Sequence, residues 1–131
     1  MFNVSLDFEY KSPIDKVWNA LTNPDILAQW VMENNFKPIV GYKCRFWNKE
    51  IGLVVHSEVL TVNKPSQLSY TWIGGPIDTV VTWTLKQEGD ITYVHLEQTG
   101  FPDQSTEYYG AYYGWSSMLE KLSSYLSGES I

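Results

Sequence analysis

Cysteine occurs once in the 131 residues, at Cys44. That excludes an internal disulfide and any metal site built from several thiolates. Histidine occurs twice, at His56 and His95, too far apart in sequence to suggest a metal pair, and no metal or other cofactor is expected. Arginine occurs once, at Arg45. Nine Lys and Arg stand against fifteen Asp and Glu, a net charge of −6. Such a chain offers no basic surface for nucleic acid or anionic lipid. No apolar run approaches the length needed to cross a bilayer, so no membrane insertion is expected. The opening residues lack the basic start and apolar block of a signal peptide. There is no repeat, low-complexity tract or linker. The expectation is a cytoplasmic protein folding as one domain over residues 1–131.

Apolar residues are plentiful by contrast, at 44% against 18% charged, and aromatics reach 15%. Phe2, Val4, Leu6, Phe8 and Tyr10 alternate with polar residues, the period of a half-buried strand. Ser12-Pro13-Ile14-Asp15 then reads as a helix start, with Ser12 as cap and Pro13 in the first turn. Ile14, Val17, Trp18 and Leu21 follow at helical spacing. Asn23-Pro24-Asp25 repeats the signal for a second short helix carrying Ile26, Leu27, Trp30 and Val31.

From about residue 36 to 100 the pattern is strand and turn. Cys44 and Phe46, then Leu68, Tyr70 and Trp72, then Val81, Trp83 and Leu85, then Val94, Leu96 and Gln98 each alternate with polar neighbours. Short Gly- and Pro-containing turns between them imply an antiparallel meander. Between Leu53 and Val62 both faces are apolar, so periodicity does not say which face turns inward. Finally Tyr108, Tyr112, Trp115, Leu119, Leu122 and Leu126 form one stripe of a long helix, with Gly128 as its stop. An apolar concave sheet must be covered, and this helix is the only element long enough.

In this order the segments Ser12 to Pro24 with Leu27-Ala28-Gln29-Trp30, Leu68 to Trp72, Val81 to Leu85, Thr99-Gly100-Phe101-Pro102 and Gly114-Trp115 to Leu126 resemble the START-like (SRPBCC) superfamily. More narrowly, they are similar to its branch named for the activator of heat-shock protein 90 ATPase. The resemblance implies an α+β helix-grip fold: a curved antiparallel sheet wrapped around a long C-terminal helix, with two short helices between the first and second strands. It also implies a cavity for lipid, sterol, polyketide or flavonoid-like molecules. A chaperone partner is the alternative that the branch name suggests.

The candidate ligand-binding set is Trp30, Phe46, His56, Glu58, Tyr70, Trp72, Trp83, Gln98, Tyr108, Tyr112 and Trp115. The rings suit a flat apolar ligand, with indole N–H and phenol O–H as polar handles; the bland alternative is that they simply fill a core. Gln98 would be an inward amide in need of partners. His56 and Glu58 share one strand face, and if inward they could hold a polar group or move a proton as a cyclase or hydrolase would. Otherwise they are a solvated pair. No Gly-x-Ser-x-Gly, phosphate loop or His-Glu-x-x-His occurs, and no residue is assigned a catalytic role. Gly110 and Gly114 weaken the start of the last helix by about 1 kcal/mol each relative to Ala. Either they free a turn that gates the cavity mouth, or they let the helix backbone approach the sheet. The second reading is favoured for Gly114.

Overall fold

The structure, a computed structural model, describes residues 2–128. Its elements run β1 (Phe2–Tyr10), α1 (Ile14–Thr22), α2 (Pro24–Trp30), β2 (Glu33–Asn34), β3 (Lys43–Asn48), β4 (Leu53–Asn63), β5 (Gln67–Gly74), β6 (Ile77–Glu88), β7 (Ile91–Phe101) and α3 (Thr106–Leu126). The strands form one curved, unclosed antiparallel sheet in the order β1-β7-β6-β5-β4-β3-β2. The α+β helix-grip arrangement expected from the sequence is the observed one.

The meander follows from short connections, and β1 closes it by pairing with β7 along its length. Alternation then stacks the inward residues in rungs across the sheet. Val4, Gln98 and Val81 make one such rung, and Leu6, Leu96 and Trp83 make the next. At the end of β7 the pairing slips between Phe2 and Asn3. Gly100 is the extra residue, at φ +114°. A Cβ there would meet the Asp78 carbonyl at 3.1 Å, so both conformation and space favour glycine.

Helix α2 starts as the sequence suggests, with the Asn23 carboxamide oxygen accepting from the Asp25 N–H at 2.9 Å and Pro24 in the first turn. Helix α1 does not. Its N-cap is Pro13, and Ser12 lies buried before it without capping. Gln87 of β6 supplies the missing acceptor, its side-chain oxygen taking the Ile14 N–H at 2.8 Å. Ser12 contributes its carbonyl instead, which accepts from the Thr92 hydroxyl at 2.6 Å.

Helix α3 lies on the concave face. Trp115, Leu119, Leu122 and Leu126 are buried from it. Tyr10 of β1 donates its buried hydroxyl to the Leu119 carbonyl at 2.9 Å, and burial pushes that phenol well above its usual pKa. The Lys16 ammonium of α1 donates to the Leu126 carbonyl at 3.0 Å, a cation at the negative end of the helix dipole. Gly128, at φ +82°, ends the helix as expected.

The face of β4 left open by periodicity is now settled. Val55, Ser57 and Val59 are buried, while His56 and Leu60 are exposed and Glu58 is half-buried. Leu122 of α3 is fully buried. Leu122→Ala is therefore expected to lower unfolding free energy by about 2–5 kcal/mol in denaturant titration. A loss under about 1 kcal/mol would mean that α3 is not clamped on the sheet as described.

Candidate functional site

The concave side is divided into a filled part and a hollow part. In the filled part aromatic rings from five elements touch. Trp30 of α2 meets Trp83 at 6.0 Å between centroids, nearly edge-on, and Trp83 meets Trp115 at 5.5 Å in the same way. Trp115 continues to Trp72 at 5.2 Å, and Trp72 to Phe46 at 5.0 Å. Tyr70 sits against Phe36 and Phe46. Each such pair adds about 0.5–1.5 kcal/mol beyond area burial. The polar edges are matched internally. The Trp30 indole donates to the Ala20 carbonyl at 3.0 Å, and the Trp83 indole donates to the Tyr70 hydroxyl at 2.9 Å.

The hollow part is a cavity of about 310 Å³ between β4, β5, β6, β7 and α3. Trp72, Gln98 and Trp115 form its inner wall, and Leu53, Val55 and Ile77 line the sheet side. Met118, Ala111, Gly110 and Gly114 form the helix side, and Met32 and the exposed Ile51 complete the outline. Gly74 closes one corner, because a Cβ there would lie 2.7 Å from the Val54 carbonyl. None of these wall residues is charged.

One polar chain crosses the inner wall. The Trp115 indole N–H donates to the Gln98 amide oxygen at 2.8 Å, and the Gln98 amide N–H donates to the Thr79 hydroxyl at 2.9 Å. Thr79 in turn donates to the Trp72 carbonyl at 2.8 Å. The direction is forced at its start, since an indole can only donate and so fixes which end of the amide faces it. Gln98 is fully buried, and these bonds use one of its two amide hydrogens.

The sequence-based candidates therefore separate. Trp72, Gln98 and Trp115 come together on the cavity wall. Trp30, Phe46, Tyr70 and Trp83 are core residues beside it, packed against one another rather than lining space. Tyr108 packs edge-on against Phe2 and Phe101 at the β1 border, and Tyr112 is 39% exposed. The α3 stripe meets the sheet only from Trp115 onward; in the preceding turns Gly110, Ala111 and Gly114 line the cavity instead.

His56 and Glu58 lie off the site. Their strand buries its other face, so their side chains leave on the convex side and cannot reach the cavity. The inward polar residue of β4 is Ser57, a buried hydroxyl with no hydrogen-bond partner among the described residues. Close approach of Gly114 to the sheet is also overturned. A Cβ built at Gly110 or Gly114 meets nothing within 4 Å, so each glycine leaves space rather than relieving a contact. Met32, Leu53, Val55, Ile77 and Met118 were missed as wall residues; the inward alternation of β4 and β6 and the helical spacing of Met118 from Trp115 could have signalled all but Met32.

Two other features carry less. A groove of about 460 Å³ beside the β3–β4 turn is lined by Arg45, Trp47, Lys49 and Val54, mostly exposed outer-face residues. Cys44 is buried, and burial pushes its thiol up to about 11, which makes it a poor nucleophile. Among the described residues no cluster of three or more His, Cys, Asp or Glu could hold a metal ion. No helix among them is long and apolar enough to cross a membrane.

A curved sheet gripping a long helix, with an apolar hollow between them, defines the START-like class of fold. Residues 11–127 match the family described as Activator of Hsp90 ATPase homolog 1-like protein, and the chain belongs to that family. Among solved structures it is similar to protein MLL2253 from Mesorhizobium loti, at 36% identity and TM-score 0.91 over 99% of this chain and 100% of that one. DynU16, a protein of the dynemicin biosynthetic locus, shares the fold at 24% identity and TM-score 0.85, over 95% of this chain but 47% of its own. So does the Aha1 dimer from Colwellia psychrerythraea, at 18% identity and TM-score 0.86 over 96% of each chain. No curated protein matches the chain significantly.

Two outcomes follow for these side chains. Gln98→Leu leaves the buried Trp115 N–H without its acceptor, and a loss of about 1–3 kcal/mol is expected in denaturant titration; an unchanged stability would show that the polar chain is not formed. On the convex face the Asp7 carboxylate, 2.8 Å from His95 Nδ1, raises that imidazole above its usual 6.5; partial burial opposes this, and Glu97 at 3.1 Å adds to it. The folded state thus holds the proton more tightly than the unfolded chain. This stabilisation is complete below pH 6.5 and is lost as pH rises through the folded value. Both carboxylates are exposed, so its size is under about 1 kcal/mol. Stability should fall slightly as pH rises from 6.5, and His95→Gln should flatten that slope; a flat wild-type profile would contradict the pairing.

Proposed function

We propose that the protein binds a small hydrophobic or aromatic molecule in the cavity between the sheet and α3. One observation carries the reading: the hollow is apolar and walled by the Trp72 and Trp115 rings, with the buried Gln98 amide in that wall keeping one hydrogen that no described residue accepts. A cavity of that kind gains affinity from apolar burial, about 25 cal/mol per Å² before the costs of association, and orientation from one polar contact. Its volume, about 310 Å³, falls at the lower end of the range of about 300–1,000 Å³ usual for ligand pockets. The fold shared with DynU16, a protein of a biosynthetic locus, is compatible with a ligand-handling role. A cyclase or hydrolase would need an acid or base beside the ligand, and the walls carry none. Family membership alone favours a second reading, a co-chaperone that stimulates a heat-shock ATPase. Absence of both a complex with the chaperone and a change in its ATPase rate would remove it.

The direct test is a screen of neutral apolar compounds followed by Trp fluorescence and methyl NMR. Ligands should bind with Kd of about 1–100 μM. They should shift the methyl signals of Met32, Val55, Ile77 and Met118 together. Shifts confined to Val54 and its neighbours on the outer groove, or none at all, would contradict the reading.

A further inference from the structure

Resting on that reading, we infer that the cavity selects a neutral, planar ligand of about two rings bearing a hydrogen-bond acceptor, and that the absent side chains of Gly110 and Gly114 set this size. The size argument starts from volume. An apolar cavity of about 150 Å³ takes one benzene ring. The observed volume, about 310 Å³, is twice that, enough to enclose two rings and too little to enclose a sterol or a long acyl chain.

The glycines account for where the space lies. They stand four residues apart on one helix face, and both line the cavity. Neither has backbone or side chain within 4 Å of the position a Cβ would take, so packing does not require glycine there. Neither has a positive φ, so conformation does not require it either. Both positions would make a better helix as Ala. What glycine supplies at these positions is open space on the helix side of the cavity.

The charge argument is equally local. No wall residue is cationic, and the lone arginine, Arg45, lies in the outer groove. A carboxylate entering the cavity would lose its hydration with no cation to replace it. Gln98 is the polar wall group, and its oxygen already faces the Trp115 donor. One amide hydrogen goes to the Thr79 hydroxyl, and the second has no acceptor among the described residues; a carbonyl, ether or phenol oxygen would supply one.

Calorimetry with a small panel tests both halves: chromone as a neutral two-ring acceptor, naphthalene as its apolar counterpart, 2-naphthoate as the anion, cholesterol and palmitate as large ligands, and benzaldehyde as a one-ring acceptor. Chromone should bind best, naphthalene about 2- to 10-fold more weakly, and naphthoate at least about 10-fold more weakly. Cholesterol and palmitate should fail to compete. In the Gly110→Ala, Gly114→Ala double variant the Tm should rise by about 2–5 °C for each change. Its chromone affinity should fall at least about 10-fold, while benzaldehyde affinity holds within about 2-fold. Tighter binding of cholesterol, palmitate or naphthoate than of chromone would overturn the inference and leave the ligand-binding reading standing. So would unchanged chromone affinity in the double variant. Binding of no compound would overturn both.

Discussion

The hydrogen bond from the Trp115 indole to the Gln98 amide holds the structure at its least forgiving point. It joins the long helix to the sheet where the packed and the empty halves of the interior meet. On one side Trp115 packs on Trp83 and Trp72. On the other it borders the cavity. A polar bond inside an apolar wall fixes one rotation and one height of the helix, because any other arrangement strands a buried donor. Together with the Tyr10–Leu119 and Lys16–Leu126 bonds, this constraint fixes the register of α3, and with it the position of Gly110 and Gly114.

The hollow arises from geometry as much as from composition. A single helix cannot cover the whole concave face of the sheet. Helix α2 fills part of the remainder through Trp30, and Phe36, Phe46 and Tyr70 fill more. No large side chain on the first turns of α3 enters the rest. Two glycines and an alanine face it, and the large tyrosines of that segment leave on other faces. Tyr109 and Tyr113 are exposed, and Tyr108 braces the border with β1.

The fold was legible because period and punctuation agreed. Alternation in β1, β5, β6 and β7 named the inward residues correctly, and Asn23-Pro24 marked the second helix. The site was less so, for three physical reasons. First, a ring that fills a core and a ring that walls a cavity have the same periodicity, so Trp83 and Trp72 look alike in sequence. Second, β4 is apolar on both faces, which hid the outward direction of His56 and Glu58. Third, a cavity is made by what is missing. Glycine in a helix signals either close contact or vacancy, and only coordinates separate the two. Gln98 was the one wall residue whose chemistry announced itself, as an amide in an otherwise apolar strand face. The capping of α1 by Gln87 was hidden for a different reason: the donor and acceptor are 73 residues apart in the chain.

The account stands on an accessible apolar void beside Trp115, and xenon reports such voids without presuming a ligand. In crystals under xenon pressure, the account predicts a xenon atom in contact with Trp115, Gly110 and Gly114. Ordered water filling that space, or side chains closing it with no xenon bound, would contradict it.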